Sequence, residues 1–259
     1  MSTQITLPSL FHLSSEHEVA ASVPELRACI EAEDVAMVRG LVPESAARSV
    51  MDRVHAGFSA SDDTKVDHKC RVSDPRLIPN YQRLMLGEFG DSETQRSFFV
   101  RMMYSPLWNE DRWGMHASFR KLIALRNHLY GVESDFCLDG PHGTTYTLSR
   151  LHHYPSGGGF LNSHRDEVAA GVPAAAGLHG YIQVLLVLTE KGTDFHSGGG
   201  YFVRDGERVH YEDFTRPGDI LIYNGRTLHG VSTVDPDAPT DLTSSAGRYS
   251  ATVTLYRTR

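Results

Sequence analysis

The sequence predicts a mainly β protein in which a helical N-terminal layer packs on a β-sandwich or small barrel. Residues 1–140 carry apolar residues at helical spacing, whereas residues 141–259 form β-branched and aromatic runs separated by Gly, Pro, Asp and Asn. The intervals between these runs are too short for crossover helices, so we expect antiparallel pairing. No linker or repeat divides the chain, which predicts one domain over 1–259.

The N-terminal part has four local signals. The segment "DVAMVRGLV" predicts a short strand, and "PESAARSVMDRVHAGF" predicts a helix with Pro43 in its first turn. Ser92 and Gln95 fit a capping box before "RSFFVRMMY", which predicts a second helix. A third helix is predicted over "ASFRKLIALRNHLYGV", ending at Gly131.

The C-terminal part predicts strands in five segments. They are "TTYTLSRLHHY", "GYIQVLLVLTE", "GGYFVRDGERVHYED", "GDILIYNGRTLHGVSTV" and "GRYSATVTLYRT". Each is rich in residues that favour a pleated, half-buried surface. This density of strands favours a sandwich or a small barrel over a parallel α/β sheet.

Composition limits the classes of function. The formal net charge of −7 argues against a general nucleic-acid binder, which needs a basic face to neutralise phosphates. No apolar stretch approaches the length of a membrane span, and the N-terminus lacks the pattern of a signal peptide. The three cysteines Cys29, Cys70 and Cys137 form no Cys-x-x-Cys pair, which predicts a reducing cytoplasmic location. Oligomeric state is left open.

A possible metal site begins at the His-x-Asp tripeptide of His164 and Asp166. His229 follows 65 residues after His164, at the end of a strand-like run, and a jelly roll can return the chain beside its earlier strand over such an interval. Two histidines and one carboxylate on one face of a metal leave open positions, an arrangement that suits Fe(II). The three residues are therefore predicted as metal ligands.

A possible anion site lies further along the chain. Arg248 and Ser250 alternate with Tyr249, so on a strand they face the same side. A guanidinium can bind a carboxylate through two parallel hydrogen bonds, and a neighbouring hydroxyl can add a third.

Together these residues resemble a known family. His-x-Asp, a distant His and Arg-x-Ser on the last strand are similar to the Fe(II)/2-oxoglutarate-dependent oxygenases, and "YPSGGGFLNSHRD" resembles the motif of their prolyl-4-hydroxylase-like branch with one extra residue. "HSGGGYF" and "VAMVRGLVPESAARSVMDRV" also resemble segments of these enzymes. The resemblance implies a double-stranded β-helix (jelly-roll or cupin-like) core, Fe(II) at the triad, and O₂ and 2-oxoglutarate as co-substrates. It implies that Arg248, Ser250 and Tyr154 bind 2-oxoglutarate.

The sequence departs from that branch in two places. Arg248 follows His229 by 19 residues, where ten to fifteen are usual in the family, and the extra length lies in the turn-rich "DPDAPTDLTSSAG". The family branch also usually has lysine at the anchor position. Asp166 excludes the related halogenases, which resemble this family but have Gly or Ala there.

The expected activity is hydroxylation of a small molecule, such as an amino acid or a natural-product intermediate, with release of succinate and CO₂. Peptidyl hydroxylation, desaturation and cyclisation need the same ligands and stay open. A cupin-like metal binder or isomerase that does not use 2-oxoglutarate is the competing class. His152 and His153 are interpreted as structural, Tyr104 as a core residue, and neither Arg165 nor the region 59–143 is assigned a role.

Overall fold

The computed structural model describes residues 7–33, 35–89, 96–166, 171–175, 177–178 and 180–258. Within these residues the helices are α1 (Glu16–Ala21), α2 (Val23–Glu33), α3 (Glu44–Gly57), α4 (His116–Tyr130) and α5 (Gly171–Ala175). The strands are β1 (Ser9–His12), β2 (Val35–Arg39), β3 (Tyr81–Phe89), β4 (Arg96–Tyr104), β5 (Thr145–Pro155), β6 (Phe160–His164), β7 (Ile182–Val187), β8 (Gly199–Arg204), β9 (Glu207–His210), β10 (Ile220–Asn224), β11 (His229–Ser232) and β12 (Gly247–Arg257).

The strands form two layers joined by β4, and they pair antiparallel except for β1, which is parallel to β2. One layer has the order β1-β2-β10-β7-β12-β5, and the other has the order β6-β11-β8-β9. Strand β4 pairs with β5 through Arg101–Tyr104 and with β6 through Phe98 and Phe99. The predicted jelly-roll core is confirmed, since β5 to β12 alternate between the two layers except for the β8–β9 hairpin, whose strands share one layer.

The helices cover the outer face of the larger layer. Along β7, Val184 and Leu186 are fully buried in the main hydrophobic cluster beneath α2, α3 and α4. The alternate residues Gln183 and Leu185 line a cavity between the two layers. Apolar burial on the outer face therefore leaves the inner face free to carry polar side chains.

Two of the predicted helices are confirmed, one of them with its predicted end at Gly131. Helix α3 begins after Pro43, which takes an extended backbone as the N-cap rather than a position within the first turn. Helix α4 ends at Gly131, whose φ of 73° lies in the left-handed region that glycine adopts without a Cβ clash. The backbone N–H of Gly131 closes the helix on the carbonyls of Asn127 and His128.

The predicted helix over "RSFFVRMMY" is wrong, because Arg96–Tyr104 is strand β4. Ser92 and Gln95, which were to cap that helix, lie outside the described residues. Strand β4 is paired on both sides, with β3 on one edge and β5 and β6 on the other, and most of its side chains are buried. Burial on both faces removes the period-two alternation that identifies a half-exposed strand.

The region 59–143 thus contributes the β3–β4 hairpin and helix α4 to the fold. None of the described helices is long and apolar enough to cross a membrane. All three cysteines are free: Cys29 and Cys137 are buried, and Cys70 is exposed.

Candidate metal centre and its cavity

Strand pairing brings the two histidines of the predicted site together. His164 is the last residue of β6, His229 is the first of β11, and the two are directly opposite in the antiparallel register. Asp166 follows two residues after His164, and its backbone N–H donates to the carbonyl of Gly225 over 2.8 Å. The three side chains therefore meet at one end of the cavity between the layers.

The distances are those of a site that can hold a metal ion. One ligand atom from each of His164, Asp166 and His229 lies within 4.8 Å of the others. Nε2 of His164 is 3.8 Å from Oδ1 of Asp166, and Nε2 of His229 is 3.6 Å from Oδ2. Among the described residues this is the only such group of three or more His, Cys, Asp or Glu side chains.

Backbone carbonyls fix the orientation of both imidazoles. Nδ1 of His164 lies 2.9 Å from the carbonyl oxygen of Asn162, and Nδ1 of His229 lies 2.9 Å from that of Thr227. A carbonyl can only accept, so each Nδ1 must donate, which leaves the lone pair on Nε2 directed at Asp166. This arrangement is typical of metal-binding histidines.

Burial keeps His164 neutral. Desolvation and the neighbouring His229 lower the pKa of His164 to about 4, and the negative charge of Asp166 opposes this shift. Arg96 lies beside the carboxylate, with Nη2 3.3 Å from Oδ1 of Asp166 and 2.7 Å from the carbonyl oxygen of Arg165. The Arg165 side chain is exposed.

The predicted anion anchor lies in the same cavity but already has an anionic partner. The side chain of Arg248 is 1% exposed, and its Nε donates to Oε1 of Glu212 over 2.5 Å. Its Nη2 donates to the hydroxyl of Tyr211 over 2.6 Å, and its Nη1 donates to Oγ of Ser250 over 3.3 Å. Oε2 of Glu212 accepts from the backbone N–H of Gly200, so the carboxylate is held at both oxygens.

Tyr154 forms the wall beneath this anchor. It is opposite Arg248 in the β5–β12 register, and the guanidinium carbon lies 5.1 Å from the centre of its ring. Burial raises the pKa of Tyr154 to about 12, although the charge of Arg248 lowers it, so the phenol keeps its proton. The predicted co-substrate residues Arg248, Ser250 and Tyr154 are thus adjacent in the structure.

Five residues that the sequence interpretation left out also belong to this region. Tyr211 and Glu212 contact Arg248, while Arg150, His152 and Tyr104 line the cavity. Alternation along β5 could have indicated Arg150 and His152, since both share a face with Tyr154. No comparable signal separates Glu212 from its acidic neighbours in "GERVHYED".

Comparison with solved structures gives matches over nearly the whole chain. A prolyl hydroxylase from Trichoplax adhaerens, in complex with a hypoxia-inducible-factor peptide fragment, has a TM-score of 0.55 at 11% identity, covering 93% of this chain and 91% of that chain. A prolyl-4-hydroxylase from Pseudomonas putida has a TM-score of 0.54 at 12% identity, covering 92% and 98%.

The chain has the fold of the Fe(II)/2-oxoglutarate-dependent oxygenases. A protein of the 2OG-Fe(II) oxygenase family from Caulobacter crescentus also matches, with a TM-score of 0.51 at 14% identity over 97% of this chain and 87% of that chain. No protein-family model matches the sequence, and no curated protein does. The predicted resemblance is confirmed at the level of the oxygenase fold and of the His-x-Asp…His triad.

Proposed function

We propose that the protein is an Fe(II)/2-oxoglutarate-dependent oxygenase that hydroxylates a small molecule. The observation that carries the proposal is that His164, Asp166 and His229 share one cavity with the Arg248 guanidinium. Two imidazoles and a carboxylate suit a divalent transition metal with open positions. A buried arginine in the same cavity suits a dicarboxylic co-substrate.

The residues of the centre fit the metal that the fold implies. Nε2 of His164, Nε2 of His229 and one oxygen of Asp166 would hold Fe(II), because both Nδ1 atoms are engaged by carbonyls. Bound Fe(II) would supply, with 2-oxoglutarate and O₂, the oxidising power that inserts oxygen into a C–H bond. The guanidinium of Arg96, 3.3 Å from Oδ1 of Asp166, would hold the carboxylate in position.

The anchor region fits the far carboxylate of 2-oxoglutarate. Nε of Arg248 donates its hydrogen bond to Glu212. Each Nη nitrogen makes one described hydrogen bond and has a second N–H. Those N–H groups, with the hydroxyls of Ser250 and Tyr211, can bind a carboxylate. Tyr154 would close the other side of this subsite.

The size of the cavity supports a small substrate. Its volume is about 220 Å³, which must accommodate both the co-substrate and the reacting part of the substrate. Met85, Phe98, Val100 and Met102 provide an apolar wall that would exclude water from the reacting centre. The acidic net charge of −7 also argues against a nucleic-acid substrate.

Anaerobic titration tests the proposal. Fe(II) is added to the protein, followed by 2-oxoglutarate, and the visible absorbance is recorded. A weak charge-transfer band that saturates at one co-substrate per chain is the expected result, because 2-oxoglutarate chelates iron at two open positions. Stoichiometric iron without such a band would favour the cupin-like binder or isomerase, and absence of stoichiometric iron would exclude both.

Turnover then separates the remaining alternatives. Succinate release is measured over a panel of small metabolites and, in parallel, over proline-containing peptides. Stimulation by a small molecule, with a product 16 mass units heavier as expected for one added oxygen atom, would support small-molecule hydroxylation. Stimulation by peptides alone would favour a peptidyl hydroxylase, and loss of two mass units from the substrate would favour desaturation or cyclisation.

A further inference from the structure

A second arginine, Arg150, lines the cavity at a distance from the anchor. On β5 it shares the inner face with His152 and Tyr154, and it is opposite Thr252 in the β5–β12 register. Arg248 is opposite Tyr154, four residues further along β5. Four residues of strand correspond to about 13 Å, so the two guanidinium groups are on strand positions well separated along the cavity.

The two described hydrogen-bond partners of Arg150 are neutral. Its Nε donates to Nε2 of His152 over 2.8 Å, and its Nη1 donates to the hydroxyl of Tyr256 over 2.5 Å. Burial, together with the charges of Arg150 and Arg248, lowers the pKa of His152 well below its ordinary value, so this histidine is an uncharged acceptor. Within the described ranges no carboxylate lies at ion-pair distance from Arg150, and the charge of Asp166 acts on it from a greater distance.

The other cations that line the cavity each have an acidic neighbour. Glu212 pairs with Arg248, and Asp67 pairs with Lys69. Arg96 lies 3.3 Å from Asp166. A partly buried guanidinium without an ion-pair partner is energetically unfavourable. An anionic ligand bound in this cavity would supply that partner to Arg150.

Aromatic rings define the shape of this subsite. The guanidinium carbon of Arg150 lies 6.0 Å from the centre of the Tyr104 ring and 5.8 Å from that of Tyr256. Tyr104 is held in place by stacking on Tyr81, with ring centres 4.3 Å apart. Nζ of Lys69 lies 5.7 Å from the Tyr104 ring, so a second cation is near the same wall.

We propose that Arg150 binds a carboxylate of the substrate, which makes the substrate a small carboxylic acid. This inference rests on the proposed function. The Nη atoms of Arg150 supply the paired donors that a planar carboxylate accepts, and the Tyr256 hydroxyl lies beside them. The acid group would be held at Arg150, with the rest of the molecule extending along the apolar wall toward the His164, Asp166 and His229 centre.

The test uses a minimal carboxylate on the protein loaded with Zn(II) and saturated with 2-oxoglutarate. Binding of fluoroacetate is followed by ¹⁹F NMR, and fluoroacetamide serves as the uncharged twin. Loss of one charged hydrogen-bonding group changes affinity by about 10–100-fold, so fluoroacetate should bind Arg150→Gln more weakly by that factor. Fluoroacetamide should bind neither protein measurably.

Control variants separate this effect from a general loss of charge or of folding. Arg76→Gln removes an exposed cation that pairs with Asp74, and it should bind fluoroacetate as the wild type does. Arg150→Lys keeps the charge and should retain more affinity than Arg150→Gln. Tyr256→Phe removes the neighbouring hydroxyl and should weaken binding less than Arg150→Gln does, which gives a second measurement if Arg150→Gln does not fold.

The remaining outcomes contradict the proposal at distinguishable points. Equal fluoroacetate binding by wild type and Arg150→Gln, or none by wild type, would overturn the substrate assignment alone. A tenfold loss of 2-oxoglutarate affinity in Arg150→Gln would instead place Arg150 in the co-substrate site. Failure of wild type to bind 2-oxoglutarate at all would remove the proposed function, and this inference with it.

Discussion

Glu212 and Arg248 form an ion pair inside the barrel, with 2.5 Å between Oε1 and Nε and side chains that are 2% and 1% exposed. Burial raises the pKa of Glu212, and the adjacent guanidinium opposes that rise. The arginine expected to anchor the co-substrate is therefore neutralised before any ligand enters. This pair fixes the guanidinium in place while reducing the charge that it offers.

Glu212→Gln should destabilise the protein and increase the rise in melting temperature that 2-oxoglutarate causes. The variant leaves Arg248 buried without a counter-charge, which costs about 3–5 kcal/mol of unfolding free energy. A bound 2-oxoglutarate would restore that charge, so saturating co-substrate should raise the melting temperature more in the variant than in wild type. Glu207→Gln, which changes an exposed residue of β9, is the matched control and should affect neither quantity. An equal or smaller ligand-induced shift in Glu212→Gln would contradict this view of the pair.

Removing Arg248 should weaken the binding of 2-oxoglutarate without abolishing it. Because Arg248→Met alone would leave Glu212 buried and unpaired, the comparison is between Glu212→Gln and the double variant Glu212→Gln/Arg248→Met. Loss of the charged hydrogen bonds should raise the concentration for half-maximal charge-transfer absorbance by about 10–100-fold. Higher co-substrate should recover the band, whereas identical affinities would exclude Arg248 as the anchor.

Asp166→Ala should lose stoichiometric iron and, with it, succinate release. The carboxylate oxygens lie 3.6–3.8 Å from the two imidazole Nε2 atoms, so no other described acid can replace Asp166 there. Iron per chain is measured after desalting, and Asp237→Ala, at an exposed position, is the control. Full iron content or unchanged turnover in Asp166→Ala would refute the ligand assignment.

Gly200→Ala should disturb the anchor through Tyr211. A Cβ on Gly200 would lie 2.0 Å from the Tyr211 hydroxyl oxygen, which accepts from Arg248, so the phenol must move. We expect weaker 2-oxoglutarate binding and a lower melting temperature. Gly140→Ala is the matched control, because a Cβ there meets no atom within 4 Å. Equal behaviour of the two variants would show that Tyr211 is not required at this position.

Stability should fall as the pH decreases below about 6.5, in part because of His153. This residue is fully buried: Nδ1 accepts from Arg101 over 3.2 Å, and Nε2 donates to the carbonyl of Ala246 over 3.0 Å. Burial, with the charges of Arg101 and His55, lowers the pKa of His153 to about 3. Between that value and the ordinary pKa of about 6.5, only the unfolded chain takes up the proton, which costs up to about 1.4 kcal/mol per pH unit.

His153→Gln should flatten this dependence, since glutamine can donate to one neighbour and accept from the other without titrating. The free energy of unfolding is measured by urea denaturation at several values between pH 4 and 7. His17→Gln, at an exposed position on α1, should keep the wild-type slope. An unchanged slope in His153→Gln would assign the effect to other groups.

The triad could be predicted from the sequence because it depends on few assumptions. His164 and Asp166 are two residues apart in the chain, and antiparallel pairing of β11 with β6 places His229 opposite His164. Strand alternation alone likewise predicts that Arg248 and Ser250 share a face, whereas their role as co-substrate residues is implied by the family resemblance. The pairing holds at the site itself, because His229 is opposite His164 although the β6–β11 register shifts between His229 and Val231, and β12 pairs with β5 without interruption.

Glu212 and the β3–β4 hairpin could not be predicted for different physical reasons. The hairpin strand β4 is apolar on both faces, so its pattern does not distinguish it from a buried helix. Glu212 follows β9 in a short 3-10 helix, and it is buried because Gly200 of β8 and Arg248 of β12 both contact its carboxylate. Such a contact depends on tertiary packing, and exposed acids of the same segment look identical in the sequence.

The position of β4 between β5 and β6 has a further consequence. The hairpin that it forms with β3 supplies Met85, Phe98, Val100, Met102 and Tyr104 to the cavity wall, whereas the proposed metal ligands and the proposed anchor lie after residue 150. Most of the apolar wall and most of the reacting centre are therefore encoded by separate stretches of chain, and Arg96 of β4 is the residue of the hairpin that contacts Asp166. Exchange of the wall residues of β3 and β4 between proteins of this fold, with Arg96 retained, offers a route to a changed substrate preference, since the residues around Asp166 are left as they are.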